Sequence, residues 1–151
     1  LENVRIALQA HVSRYGLWRR RDRLPGLTTE AESLLGSVGL AERGGRLARE
    51  LAHGQQRALE IAVALAAKPK LLLLDEPTAG MSPEETVTMM QLIQRLSRER
   101  TVVLVEHKMK LVMGISDHVV VLHHGELLAQ GSPQDIRNND TVKAVYLGQG
   151  H

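Results

Sequence analysis

Cysteine and phenylalanine are absent from this 151-residue sequence, and aromatic residues make up only 2% of it. Without cysteine the chain can form neither disulfides nor thiolate zinc sites, which fits a reducing compartment. Without phenylalanine, we expect a core packed from Leu, Val, Ile, Ala and Met. The chain is long enough for one domain with a real core, and short for two.

Long apolar runs and a strong net charge are absent as well. Lys68, Pro69 and Lys70 interrupt the most apolar region, so nothing approaches the ~18 apolar residues of a membrane-spanning helix. The formal net charge of +2 gives no electrostatic argument for nucleic acid. The largest basic cluster, "WRRRDR" at 18–23, is short and fits a solvated loop. We therefore expect no direct membrane span and no nucleic-acid partner.

Several segments have the composition and spacing of helices. Thr29 with Glu32 predicts a capping box at the second of them. Ser82, Pro83 and Glu85 predict a cap, a first-turn proline and a box partner at the fourth. The predicted helices lie at about 1–15, 29–38, 55–67, 83–98 and 108–116, followed by a short helix after Ser132-Pro133 and a helical tail.

Continuous apolar runs predict strands at Leu71–Leu74 and from Thr101 to His107, each buried on both faces. Two apolar runs around His124-Gly125 predict a hairpin. Helices come first, and strands then alternate with helices. This order predicts an α/β fold in which a helical part is joined to a mostly parallel sheet with its own helices.

Two of the predicted strands end in ionisable residues, Asp75-Glu76 and Glu106-His107. Ligands of open α/β sheets gather at the carboxyl ends of parallel strands. An acid there can hold hydrated Mg²⁺ on a nucleotide, a second acid can deprotonate water, and a histidine can reach a terminal phosphate. Taken singly, each pattern also fits acids solvated in a turn, or a structural histidine.

A third segment, "LAHGQQ" at 51–56, directly precedes a predicted helix. Its Gly54 allows close backbone approach, and the first N–H groups of a helix form an anion site. Alone, the segment would be an ordinary helix start. In this order along one chain, the three segments favour phosphate chemistry.

These segments resemble motifs of the ATP-binding subunits of ABC transporters, a group of P-loop NTPases. "LAHGQQ" resembles the signature motif, "LLLLDEP" the Walker B segment, "AGMSP" the D-loop, and His107 the switch histidine. The resemblance covers essentially the whole chain. "DEPTAGMSPEET" and the terminal "YLG" are most similar to importers of branched-chain amino acids and related amides such as urea.

The resemblance implies a role for each matching residue. Asp75 would support Mg²⁺ through water, Glu76 would be the general base for the attacking water, and His107 would contact the γ-phosphate. The nucleotide-binding positions would be the D-loop residue Ser82 and, facing ATP held by the opposite subunit, the signature residues Leu51, Ala52, His53, Gly54 and Gln55.

The resemblance also implies cofactors, partners and a location. The cofactors would be ATP and Mg²⁺, and the partners a second ATP-binding subunit and the permease subunits in the membrane. Residues 1–67 would be a helical subdomain that includes the permease-facing surface, and 68–151 the C-terminal part of the α/β ATPase core. The protein would lie in the cytoplasm, peripheral on the inner face of the membrane through its permeases.

The sequence departs from the family pattern at several positions. Ala52 stands where a serine is usual, His53 where a glycine is frequent, Ser82 where the D-loop has an acid, and Lys108 where an acid is common. The 151 residues contain no G-x-x-x-x-G-K-[ST] phosphate loop and no glutamine loop. We therefore expect the C-terminal part of a nucleotide-binding domain, whose parent hydrolyses ATP and which is inactive alone.

Two alternatives remain open. One is a fragment of a non-transport ABC ATPase of DNA repair or translation, a class that tends to carry coiled-coil arms or tandem linkers. The other is a non-catalytic binding or regulatory module.

Overall fold

The computed structural model describes residues 1–12 and 26–147. The chain forms two compact units, Leu1–Val103 and Leu104–His151, which divide within the second strand. The helices are α1 Glu2–Val12, α2 Leu27–Ser37, α3 His53–Leu65, α4 Pro83–Leu96, α5 Met109–Ile115, α6 Pro133–Asn138 and α7 Asp140–Val142, and the strands are β1 Leu71–Asp75, β2 Thr101–Val105, β3 Val119–His123 and β4 Glu126–Gly131. Short 3₁₀ turns lie at Ala41–Arg43 and Ala48–Glu50, and a π-helical turn follows at Lys143–Leu147.

The first three helices pack against one another in the first unit. Val4 and Leu8 of α1, Ala31 and Leu35 of α2, and Ala62 of α3 are buried. In α1 and α2 these residues recur four positions apart, which places them on one face of each helix. The predicted end of the first helix near Tyr15 and the basic cluster at 18–23 lie outside the described residues.

The predicted capping box of Thr29 and Glu32 is wrong. Helix α2 begins two residues earlier, at Leu27, after Gly26 with φ 91° and without a side-chain cap. Leu27 is buried on the same face as Ala31, so burial of this leucine extends the helix upstream. Gly26 provides the left-handed turn at no steric cost.

Strands β1 and β2 form a two-stranded sheet with parallel strands, and the Thr101 N–H donates to the Lys70 carbonyl over 3.0 Å. The prediction that both strands are buried on both faces is wrong for this chain. In β2 no residue is fully buried, and Val103 and Val105 are 46% and 56% exposed. Leu72 is buried, whereas Leu71 and Leu73 are 50% and 68% exposed. Side chains alternate between the faces of a strand, and the described residues cover only one face of β1.

Helix α4 begins after Ser82, as predicted, and ends at Leu96, two residues before the predicted end. Its buried residues form a stripe along the side that faces the first unit's interior: Met89, Met90, Leu92, Ile93 and Leu96. The stripe recurs every three to four residues, as expected for one face of a helix.

The second unit is built around the predicted hairpin, which the structure confirms. Strands β3 and β4 are antiparallel, and their turn has φ 49° at His124 and φ 82° at Gly125, as type I′ turns require. Val119 and Val121 of β3 share a small core with Ile136 and Val142.

Helix α6 begins after Ser132, as the Ser-Pro pair predicts. The predicted helical tail is also present up to Leu147, as α7 and the π-helical turn. Across residues 1–12 and 26–147, no helix combines the length and the apolar character needed to cross a bilayer.

Candidate functional site

The predicted phosphate-binding residues form the loop and first turn of α3. Ala52 is the N-cap residue in extended conformation, and its own side chain makes no capping hydrogen bond. The Ala52 N–H donates to Gln55 Oε1 over 3.3 Å, and Gln56 Nε2 donates to the Leu51 carbonyl over 3.0 Å. Because alanine carries no acceptor, the backbone N–H of Gln55 lacks the side-chain partner that serine or threonine would supply.

Gly54 contacts a glutamate of another helix. Its N–H donates to Glu85 Oε1 over 3.1 Å. A Cβ atom at position 54 would lie 3.0 Å from that oxygen and 3.3 Å from the Cβ of Glu85. A larger residue would therefore be crowded at this position, because the Glu85 side chain of α4 approaches the backbone of α3 closely.

The other carboxylate oxygen of Glu85 closes the capping box of α4. Oε2 accepts from the Ser82 N–H over 3.1 Å, and Ser82 Oγ accepts from the Glu85 N–H over 3.2 Å. The same hydroxyl donates to Glu84 Oε2 over 2.8 Å. Hydrogen bonds from the backbone N–H groups of Ser82 and Gly54 hold the pKa of Glu85 below its ordinary value, because they favour the charged carboxylate.

His53 makes a second contact to the D-loop. Its Nε2 lies 3.0 Å from the Ala79 carbonyl oxygen. A carbonyl oxygen only accepts, so this ring nitrogen carries the proton. The ring also lies against Gly80, where a Cβ atom would be 3.5 Å from Nε2. The loop 51–54 is thus joined to the segment 79–85 at two points.

Asp75 and Glu76 lie where β1 ends, and both are exposed. Glu76 has φ 41°, a left-handed conformation that non-glycine residues seldom adopt and that costs about 1–3 kcal/mol. Its carbonyl accepts from the Ala79 N–H over 3.0 Å, which closes a turn around the fully buried Thr78. This strained turn connects the two acids to Ser82.

His107 lies directly after β2 and is exposed. It belongs to the second unit, whereas Asp75 and Glu76 belong to the first. Within the described ranges, no three His, Asp or Glu side chains form a metal-binding group. One carboxylate after a strand suits a Mg²⁺ ion that keeps most of its waters and takes its other ligands from phosphates.

Comparison with known proteins decides the family. A profile described as "ABC transporter" matches residues 3–79. The chain belongs to the ABC transporter family. A second profile, "Branched-chain amino acid ATP-binding cassette transporter", matches residues 126–151. The resemblance noted from the sequence motifs is confirmed, and nucleotide binding is a property of the family.

Two curated relatives are similar over most of this chain. The high-affinity branched-chain amino acid transport ATP-binding protein BraF of Pseudomonas aeruginosa is 50% identical over 117 residues, which is 76% of this chain and 46% of BraF. The protein LivG of Salmonella typhimurium, with the same description, is 47% identical over 121 residues, 79% of this chain and 48% of LivG. The chain spans about half the length of these relatives.

A solved structure supports the fold. The ADP conformation of an ATP-binding cassette of an ABC transporter matches with a TM-score of 0.78 and 23% identity, covering 97% of this chain and 63% of that chain. The predicted α/β fold of ABC type, present in part, is therefore confirmed.

Sequence reasoning missed the role of Glu85 outside its own helix. It identified this residue only as the box partner of Ser82, whereas the carboxylate also accepts a hydrogen bond from the Gly54 N–H. The available signal was Gly54, a glycine in the first turn of a helix, where it weakens the helix unless another group approaches its backbone.

Proposed function

We propose that this chain is the C-terminal part of the ATP-binding subunit of an ABC importer, and that the parent protein hydrolyses ATP. The observation that carries the proposal is the Asp75-Glu76 pair at the end of β1, with Glu76 in a strained conformation. Backbone strain of this kind concentrates at functional sites, because the surrounding structure has to maintain it.

Branched-chain amino acids or related amides such as urea are the proposed solutes. Support comes from the printed descriptions of BraF and LivG, both branched-chain amino acid transport proteins. The profile that matches residues 126–151 carries the same substrate class in its description. The profile match at residues 126–151 and the two relatives therefore support the same class of transported solute.

The proposed chemistry assigns one task to each strand-end residue. Bound Mg-ATP would supply the phosphoryl group for transfer to water. Asp75 would hold the hydrated ion through its waters, and Glu76 would accept the proton of the attacking water. His107 would stabilise negative charge on the γ-phosphate.

The signature residues 51–55 would face the γ-phosphate of ATP held by a second subunit. With Ala52, the hydroxyl contact of the usual serine is lost, a difference of about 1–3 kcal/mol for a charged ligand. The N–H of Gly54 is already donated to Glu85. Phosphate contacts would therefore fall to the other N–H groups of this turn. Ser82 would be the D-loop residue of the same site. Its hydroxyl accepts from the Glu85 N–H as the cap of α4.

The proposed partners are a second ATP-binding subunit and the permease subunits in the membrane. Residues 1–67 would form the helical subdomain that meets the permease, and 68–151 the C-terminal part of the ATPase core. The protein would then lie at the cytoplasmic face of the membrane, held there by its permeases.

The exposed face of β1 supports a partial domain. Leu71 and Leu73 leave large apolar side chains in solvent, as expected where a neighbouring part of the fold is lacking. The chain covers 46% of BraF, and its 151 residues include no phosphate loop. Without the loop's amides and lysine, most contacts to the β- and γ-phosphates in cis are missing. We expect the 151-residue chain alone to be inactive.

The test compares two proteins. The purified 151-residue chain is expected to show no magnesium-dependent ATP turnover. The native gene product that carries this sequence is expected to hydrolyse ATP, and Glu76→Gln is expected to abolish that turnover. Glu126→Gln, at an exposed position of the hairpin, is the matched control. Turnover by the 151-residue chain that Glu76→Gln abolishes would overturn the expected inactivity, and unchanged turnover in the native Glu76→Gln product would overturn the base assignment.

One observation favours a second candidate, a non-catalytic binding or regulatory module. The 151 residues contain no phosphate loop. The mass of the native product separates the two functions: a product of about this length supports the module, and a longer one with a phosphate loop supports the ATPase. Long coiled-coil arms in that product would instead support the non-transport ATPase of DNA repair or translation.

A further inference from the structure

Glu85 is placed to act on two helices at once. Oε2 accepts from the N–H of Ser82, three residues away, and Oε1 accepts from the N–H of Gly54, 31 residues away. Both donors lie at helix starts, where backbone N–H groups lack partners within the helix and a negative charge is stabilising. A single carboxylate therefore serves the starts of α3 and α4.

Capping α4 does not by itself require the contact to Gly54. Helix α6 begins with a box of the same type, in which the Ser132 N–H and the Ser132 hydroxyl both donate to Asp135 Oδ2, over 3.0 and 2.6 Å. That box is complete with one carboxylate oxygen. The Gly54 contact of Glu85 is therefore an addition to the cap.

The additional contact lies between two of the motifs assigned to nucleotide binding, the signature segment and the D-loop. It joins residue 54 of the signature segment to the first turn after the D-loop, and His53 joins the neighbouring residue to Ala79 over 3.0 Å. The D-loop begins at Ala79, whose N–H donates to the Glu76 carbonyl and so closes the turn that Glu76 starts. Movement of the loop 51–54 would therefore displace the segment that carries Glu76.

We infer that Glu85 is a positioning residue, whose carboxylate fixes the signature loop relative to the D-loop. The inference rests on the proposed ATPase function for its kinetic part alone. The proposed chemistry gives Glu85 no contact with the nucleotide or with the reacting atoms. It acts through the loop that it holds, and a displacement of about 1 Å at a reacting centre can reduce a rate on the order of 100-fold.

Glu85→Asp separates the contact between Glu85 and Gly54, called the bridge below, from the capping box of α4. Aspartate still closes a box, as Asp135 does, but it is one methylene shorter and would not reach Gly54. In the native gene product we expect kcat to fall on the order of 10- to 100-fold with little change in KM for ATP. Asp135→Asn, in the box whose carboxylate bonds to Ser132 of its own helix start, is expected to leave both parameters unchanged.

Amide hydrogen exchange of the peptide 51–56 in the same product is the independent readout. Exchange is expected to be faster in Glu85→Asp and unchanged in Asp135→Asn. Unchanged exchange in Glu85→Asp would overturn the bridge. Faster exchange with kcat within about twofold of wild type would overturn the positioning role. A wild-type product without ATP turnover would overturn the proposed function, and the exchange result would still decide whether the bridge exists.

Discussion

The two Ser-Pro capping boxes of this chain, at 82–85 and 132–135, look equivalent in sequence and differ in the structure. In both, the serine is the N-cap residue, proline follows, and an acidic side chain three residues later accepts from the serine N–H. Asp135 directs its bonds to Ser132 alone. Glu85 uses its second oxygen to bind Gly54 of α3.

The difference comes from one methylene group and one glycine. Glutamate is long enough to place its two oxygens on two helix starts, and Gly54 leaves the space in which they meet. A capping box is a local device worth about 1 kcal/mol. At α4 the same device also carries a tertiary contact, which ties the signature loop to the D-loop.

Closing the space at Gly54 should change the free energy of unfolding more than any other substitution proposed here. In Gly54→Ala the new Cβ would lie 3.0 Å from Glu85 Oε1, so we expect a net loss of stability. Overpacking costs about 1–3 kcal/mol, and the better helix propensity of alanine returns up to about 1 kcal/mol. Urea unfolding measures the net change in the free energy of unfolding.

Gly36→Ala is the matched control, because a Cβ atom there meets nothing within 4 Å and the position is also helical. It is expected to be neutral or stabilising. Equal effects of the two substitutions would show that the close approach at Gly54 has no energetic consequence.

The next effect separates the cap from the bridge. Ser82→Ala and Ser132→Ala each remove one N-cap acceptor, and each is expected to cost about 1 kcal/mol in urea unfolding. The backbone N–H of residue 82 remains, so Glu85 is expected to keep both of its backbone donors. Amide exchange at Gly54 should therefore stay slow in Ser82→Ala; fast exchange there would mean that the serine hydroxyl, and not Glu85, holds the loop.

The smallest effect concerns pH. The pKa of Glu85 is lowered by the N–H groups of Ser82 and Gly54, and the pKa of Asp135 by the hydroxyl and the N–H of Ser132. A carboxyl whose pKa is lower when folded contributes its stability above the unfolded pKa, near 4 for both residue types, and loses it as pH falls through the folded value.

Glu85→Gln and Asp135→Asn should therefore each reduce the loss of stability seen by urea unfolding below about pH 4. The exchange rate at Gly54, divided by the intrinsic rate of an unprotected amide at the same pH, should rise below about pH 4 in the wild-type chain as Glu85 is protonated. Only Glu85→Gln should also remove this rise. If Asp135→Asn removed it as well, the two boxes would not be separate systems.

Local signals predicted much of this fold. The Ser-Pro pairs, the turn at His124-Gly125 and the apolar run at Leu71 each led to the observed element, because the responsible forces act within a few residues. The predicted box at Thr29 failed because burial of Leu27 outweighed a local cap.

The site was predictable in its parts and less so in its connections. Motif order led to the confirmed family, and the motif roles of Asp75, Glu76 and His107 remain predictions. The Glu85–Gly54 bond joins residues 31 positions apart, so no local pattern contains it. Whether a face of β1 is exposed depends on which other parts of the fold cover the sheet, and the sequence of the strand does not specify that.

A single carboxylate, that of Glu85, accepts hydrogen bonds at two helix starts, and the chemical shift of the Gly54 amide proton reports on the contact to α3. In an NMR pH titration of the chain, this shift is predicted to follow the protonation of Glu85, with an apparent pKa below the ordinary value for glutamate, and to lose this acidic transition in Glu85→Gln. A Gly54 amide shift that shows no transition in this acidic range in the wild-type chain would contradict the bond between Glu85 and Gly54.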